Sequence, residues 1–491
     1  MTDHQSLTRL RPVGLLEQFA TARHSLGFYN NVAVSAFYSS RVVRDFSALA
    51  YVIFTALDAV IAGHPALSAI PVDEDTSAPY FARLPEIDLQ EATTFVSSEL
   101  VLDPYNEASM KELDKILEEQ HNKGFRDQAS SLPFWRMIVV YEPAKCSDFI
   151  ACFVFHHALA DGASGLAFHR AFQSALERAD TIAATFGSIA DNRGGHRLNN
   201  KFIARPPGRS LIPSLEDIHP LALSITYILK SLWNDWFRSR PSTVWTGLPI
   251  TADPSKTKSR FQSMCLSQGT TTRLLKACRS HATTLTAAVE VLTAAAVLTE
   301  LPTEYSIVRC QGAISLRRWL PHDIVNEDSF GDWVSRYVDE HRWTDSRDQP
   351  RKAIDLFSWD EARRVRKTIE TELNKEGKDN VVGLLKYAGD IHQRFKGKIG
   401  KDRDETFEIS NIGVYKTGFA GDMDCEWRVG RVVFSQCADV CGPAIGLSLA
   451  TGGDGCLNIG FSWLEGIVEG RWMEQMMTTL RDLVDEVVQS E

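Results

Sequence analysis

The chain has 491 residues, too many for one hydrophobic core, and length alone suggests about two to four domains. Apolar residues make up 44% and charged residues 24%, ordinary for a soluble globular protein, and a formal net charge of -10 speaks against nucleic acid as a partner, since phosphate binding asks for a basic face. Nine scattered cysteines do not form a paired framework, and Cys437 and Cys441 lack the companions and spacing of a zinc site, so free buried thiols in a reducing, cytoplasmic setting are expected.

In chain order, residues 1–9 form a polar leader without the apolar core of a secretory signal, and no apolar stretch reaches the roughly 18 residues of a membrane span. The spacing predicts a helix over 15–26 and an alternating strand over 32–38. Phe46, Leu49, Ala50, Ile53, Leu57, Val60 and Ile61 make one apolar helical stripe, stopped at Gly63-His64-Pro65 because proline cannot continue a helix. His64 is helix-end punctuation. A short strand over 95–102, a charged surface helix over 111–120 and a strand over 134–141 follow.

Residues 149–155 (FIACFVF) are too short and too rich in β-branched and aromatic side chains for a helix, and read as a buried strand pairing with 134–141. The strand runs into His156-His157-Ala158-Leu159-Ala160-Asp161-Gly162. Asp161-Gly162 is turn chemistry, glycine supplying the left-handed angles a sharp reversal needs. Helical spacing then resumes through Leu166, Phe168, Phe172 and Leu176 to about residue 178. Two imidazoles thus sit where a core strand ends, a place from which rigid elements present catalytic groups to a cleft. A neutral imidazole titrates near neutral pH and can take a proton from an alcohol as its oxygen attacks a carbonyl.

Residues 190–258 are punctuated by Gly and Pro and look like a crossover between halves. One helix interrupts them, with Leu221, Ile225, Ile228, Leu229, Leu232, Trp233 and Trp236 apolar. It reads either as packed on its own domain or as a membrane-surface or lid helix, with Lys230, Arg238 and Arg240 reaching head groups. The second half opens with a strand over 263–266 and a helix over 271–280, and Thr283-Thr284-Leu285-Thr286 caps a long helix over 287–298. A strand over 305–314 leads to Arg317; loop and helix are expected over 325–343, and helices over 358–376 and 380–396. Strands over 405–411 and 432–435 precede a hairpin of 443–451 with 456–465, and a helix over 471–488 closes the chain.

His156, His157, Asp161 and Gly162 match the HHxxxDG motif, and on it the chain resembles the CoA-dependent acyltransferase superfamily. Residues 11–29 (RPVGLLEQFATARHSLGFY), 274–287 (LLKACRSHATTLTA), 314–321 (ISLRRWLP) and 408–413 (EISNIG) are similar to the fungal alcohol O-acetyltransferase family. The resemblance implies an α/β (α+β) fold of two chloramphenicol-acetyltransferase-like lobes, each a mixed sheet flanked by helices, with the active site in a tunnel between them. The lobes would span 1–189 and 259–491, joined by the crossover 190–258.

By that resemblance His157 is the base that deprotonates an acceptor hydroxyl for direct attack on an acyl thioester. Asp161 points away and pairs with Arg317, Arg318 being the alternative. No GxSxG frame suggests an acyl-enzyme. Ser410 and Asn411 are candidate donors to the oxyanion, although Asn-x-Gly is also turn material. The amides at Thr284 and Thr286 are candidates for a phosphate or pantetheine carbonyl, although capping alone explains them. Lys396 and Lys398, in a basic stretch with Lys386, His392 and Arg394, are candidates for the phosphates of CoA. Phe330-Gly331-Asp332-Trp333 is similar in composition to the plant branch's DFGWG motif, but lies too close after Arg317 to be its equivalent. The expected co-substrates are acyl-CoA, above all acetyl-CoA, and a small apolar alcohol such as a secondary metabolite. No tightly bound cofactor or metal is expected, and a monomer is expected, cytoplasmic or peripheral to a membrane. The alternatives are amide formation, a donor on an acyl carrier protein, and a non-catalytic protein on the same scaffold.

Overall fold

The computed structural model describes residues 7–99, 102–126, 131–186, 197–198, 201–237, 241–253, 255–343, 352–416 and 425–490. Eleven strands build its two larger sheets: β1 (Val32–Ser40), β2 (Thr93–Ser97), β3 (Trp135–Tyr141), β4 (Asp148–Phe155), β5 (Ser259–Leu266), β6 (Ile307–Ser315), β7 (Val334–Arg342), β8 (Phe407–Val414), β9 (Trp427–Gln436), β10 (Ile445–Thr451) and β11 (Leu457–Leu464). The first sheet has the order β9-β1-β4-β3-β2 and the second β5-β11-β10-β8-β6-β7. Both are mixed, with β2–β3, β6–β8 and β8–β10 the parallel pairs.

The helices that matter here are α1 (Leu15–Ser25), α2 (Phe46–Gly63), α3 (Glu107–His121), α4 (Gly162–Phe186), α5 (Ile225–Phe237), α6 (Gln268–Ser280), α7 (Leu285–Glu300), α8 (Trp359–Leu373), α9 (Ile391–Lys396) and α10 (Gly470–Gln489). α2 starts where the Asp45 carboxylate accepts the Ala48 N–H at 2.8 Å and ends at His64, as its sequence predicts. It is long and apolar enough to cross a membrane, against the expectation that no segment is. Here its Leu49, Ile53, Ala56 and Leu57 are buried and it packs on α4, as a core helix does.

The two faces of the second sheet differ. Ile445, Leu447, Leu449, Ile459 and Phe461 pack with α7 and α10 into one apolar core. The intervening residues are small or polar, and Ser448 accepts a hydrogen bond from Gln436 of the first sheet at 3.0 Å. The polar face is therefore turned to the seam between the sheets.

Several elements depart from expectation. The last two residues of the expected leader, Thr8 and Arg9, open a strand, Thr8–Pro12, paired with Tyr80–Arg83. The strand expected over 95–102 is shifted to Thr93–Ser97, and α3 buries Leu113, Asp114 and Leu117 although charge dominates its sequence. Residues 334–342 form β7 where loop and helix were expected. The helix expected over 380–396 is broken into Val381–Leu384, a 3-10 turn and α9, with Gly389 at φ 65° and Asp390 capping the new start. Sheet pairing also ignores the division expected at residue 259, because β9 completes the first sheet. Of the apolar stripe expected over 221–236, Leu221 is buried and Ile228 half-buried, whereas Ile225, Leu229 and Trp233 are 76%, 61% and 65% exposed. Arg238, Arg240 and the boundary expected at residue 190 lie outside the described residues.

Candidate active site

β4 ends by pairing, since His156 N–H donates to Phe134 O at 2.9 Å. A turn follows in which Leu159 N–H donates to His156 O at 3.0 Å. Asp161 then caps α4: its Oδ1 accepts both the backbone N–H and the hydroxyl of Ser164 at 2.8 Å. Gly162 is not in the left-handed region expected of it. Glycine is required there by space, because a Cβ would lie 2.4 Å from Ile412 Cγ2 and 3.0 Å from the Phe434 ring. The same contact sets the Ser410-Asn411-Ile412-Gly413 stretch against the start of α4.

The two histidines differ. His156 is buried and its Nδ1 accepts the Ala158 N–H at 3.0 Å. Its Nε2 therefore carries the proton and faces Glu74 Oε1 at 3.0 Å. On α1, His24 repeats this arrangement, with Nε2 accepting the Phe125 N–H at 2.9 Å and Nδ1 facing Glu74 Oε2 at 2.7 Å. His24, Glu74 and His156 are close enough to hold a metal ion, but the donor set does not suit one. The nitrogens that would ligate are the protonated ones, and the others are engaged by backbone N–H groups. Burial pulls His156 down to about 4, and against its own burial Glu74 is drawn down to about 2 by the two imidazoles. The cluster is a carboxylate clamped between neutral rings, which fixes the strand end.

His157 remains 17% exposed, while Asp332 Oδ2, itself buried, lies 3.2 Å from its Nδ1. Burial pulls the imidazole down, the Asp332 charge outweighs it, and the net effect holds His157 above its usual 6.5. The Tyr29 ring stands 5.8 Å away, edge-on. Asp332 and Tyr29 were missed by sequence reasoning. Asp332 lies in the Phe330-to-Trp333 stretch set aside for its spacing, and Glu74 in an acidic turn; neither is linked to the histidines by anything in the sequence.

Arg317 Nη2 donates to Asp161 Oδ1 at 2.6 Å and to Ser164 Oγ at 2.8 Å, with its guanidinium 4.5 Å from the Trp333 ring centroid. Arg318 instead lies over Trp319. Asn411 Nδ2 donates to Thr286 Oγ1 at 3.0 Å and its Oδ1 accepts the Gly413 N–H at 2.9 Å, so the structure joins Asn411 to Thr286. Thr284 caps α7 through the Ala287 N–H. Ser410 stands beside Ser448 on the polar sheet face. Lys398 is paired with Asp404 at 3.2 Å, and Lys396 lines a cavity of about 340 Å³ shared with Asp75 and Asp390. Neither lysine is among the groups set around His157. A cavity of about 280 Å³ reaches the histidine loop at Ala158 and Leu159, whereas the largest described, about 560 Å³ between α3, β5 and α10, touches none of the expected site residues.

The chain is similar to known proteins over most of its length. A family model described as alcohol acetyltransferase matches residues 12–484. A probable alcohol acetyltransferase of Aspergillus fumigatus, crmB, is 33% identical over 475 residues, covering 94% of this chain and 96% of that protein. Another, FCK4 of Fusarium pseudograminearum, is 25% identical, covering 94% and 91%. Among solved structures, the TRI3 trichothecene 15-O-acetyltransferase of Fusarium sporotrichioides superposes with a TM-score of 0.66 at 13% identity, covering 98% of each chain. The first condensation domain of the CDA synthetase gives 0.59 at 14% identity, covering 98% and 96%.

Proposed function

The chain belongs to the alcohol acetyltransferase family and is an acyltransferase, and from that premise we propose that it moves an acyl group, acetyl first among candidates, from a CoA thioester to an alcohol with His157 as general base. The observation that carries this is the His157–Asp332 contact: Nδ1 lies 3.2 Å from a buried carboxylate while the side chain stays 17% exposed. With Nδ1 so held, Nε2 is the nitrogen that takes the hydroxyl proton as the oxygen attacks the thioester carbonyl. The imidazolium so formed is stabilised by Asp332 and returns its proton to the departing thiolate. No covalent acyl-enzyme is needed. His156, locked by Glu74, and Asp161, locked by Arg317, hold the loop that aims the base and take no proton themselves.

The test is release of free thiol from acetyl-CoA against a panel of alcohols and amines. Ester formation is expected with alcohols, and His157→Ala should remain soluble and lose about 10²–10⁴ in rate. Normal turnover by that variant ends the proposal, and product with amines alone moves the chain to amide chemistry.

A further inference from the structure

We propose that Glu408 reads a second hydroxyl, or another hydrogen-bond donor, on the acceptor, so that the substrate is a polyfunctional alcohol and not a simple apolar one. The inference rests on the acyltransferase reading above and names its substrate class.

Glu408 opens the EISNIG stretch and shares one face of β8 with Ser410 and Ile412, since side chains two apart lie on the same side of a strand. In register, Gln311, Glu408, Gly446 and Ser462 form one row across the second sheet, ended by Phe261 on the edge strand, and Ser410, Ser448 and Gly460 stand in the next. A sheet face meant only for packing carries large apolar side chains, as the opposite face does. Short of Phe261 this one does not: Gly446 has no side chain, and the Ser462 hydroxyl and Glu408 Oε1 stand over it, 2.5 Å and 3.4 Å from where a Cβ would lie. The row is a floor, and its carboxylate is the largest charge on it.

The floor leads to the base. Ile412 abuts Gly162 at the start of α4, and at roughly 3.3 Å per residue Glu408 lies about 13 Å further along the strand. On the facing wall Tyr29 donates to Gln436 at 3.0 Å, and its ring is the one beside His157. Arg23 stacks on Tyr29 and is paired with Asp439 at 2.7 Å, so its charge is already engaged. Among the described residues the hydrogen bond to Glu408 comes from Gln311 Nε2 at 2.8 Å, on one of its oxygens. A carboxylate accepts about four. Burial and the Asp439 charge push the Glu408 carboxyl upward, in keeping with a group under-supplied with donors. A substrate hydroxyl over the floor supplies the missing donor, and a site built to bond a hydroxyl discriminates strongly against the analogue that lacks it.

The experiment compares matched pairs of diol and mono-alcohol on one carbon skeleton, with acetyl-CoA as donor and thiol release as readout. In the wild-type protein kcat/KM for the diol should exceed that for its mono-alcohol at least tenfold for some pair. Glu408→Leu should bring that ratio to about one, while Glu408→Gln, which keeps an oxygen acceptor, retains most of it. A wild-type ratio near one for every pair, or a Glu408→Leu protein that is folded by circular dichroism and keeps the wild-type ratio, overturns the inference. Absence of alcohol-dependent thiol release with every alcohol tried overturns instead the proposed transfer from CoA to an alcohol, and this inference with it.

Discussion

At the scale of single residues, the contact between His157 Nδ1 and Asp332 sets the expected pH response of the proposed reaction. The carboxylate favours the imidazolium and holds His157 above 6.5, so a base at His157 would be protonated and idle at low pH, and activity should rise as pH passes its raised pKa. Asp332→Asn removes the anion. The acid limb of the kcat/KM profile should then move to lower pH, and the maximal rate should fall by about 10²-fold as the ring loses its orientation. An unshifted limb would show that Asp332 only packs. The histidine pair was legible in the sequence because a strand run, two imidazoles and a turn are adjacent in the chain. Asp332 was not, because it reaches the ring from a loop about 175 residues on, as the numbering shows. Gly162 was placed correctly and explained wrongly: the sequence shows a glycine but not the Ile412 methyl that forbids any other residue.

At the scale of elements, the Asp161–Arg317 pair ties the start of α4 to the segment that ends in Asp332. Asp161→Ala leaves Arg317 without its counter-charge, at a cost of about 3–5 kcal/mol. It should appear as a lower melting temperature and reduced soluble yield before any kinetic effect is read, and Arg317→Met in the same chain should recover part of the loss. A second tie joins α7, β7 and α8, where His341 sits between Glu290 at 3.1 Å and Glu361 at 3.0 Å. Despite burial, those bonds raise His341 to about 9 and help draw Glu361 down to about 2. The His341 contribution is thus fully present below about 6.5 and lost as pH rises through about 9; that of Glu361 is present above 4.5 and lost as pH falls through about 2. Glu290→Gln should lower the melting temperature more at pH 6 than at pH 10, and equal losses at both would remove His341 from the account. This network also explains why β7 was unreadable. Its inward residues are Ser335, Tyr337, Asp339 and His341, and the three most polar of them are bonded to Asn380, Arg364 and the two glutamates. A period of two in hydrophobicity therefore never forms.

At the scale of the whole molecule, two sheets with helices around them were foreseeable from the order of strand and helix signals and from HHxxxDG. The exchange of a strand was not, since nothing in WRVGRVVFSQ says which sheet it will join. β1 pairs with β9 along its whole length, from Val32 opposite Gln436 to Ser40 opposite Trp427. Expressed alone, residues 1–258 should therefore collect in inclusion bodies, with β1 an open edge. Co-expression with residues 241–491 should return soluble material that co-purifies, and a soluble, monomeric first fragment would contradict the pairing.

Because β9 lies about 170 residues beyond the crossover and yet belongs beside β1, the two halves cannot be traded between relatives as cassettes. A chimera spliced in the crossover inherits a mismatched rim at the very sheet that carries the histidines, so a workable exchange has to draw both of these strands from one parent.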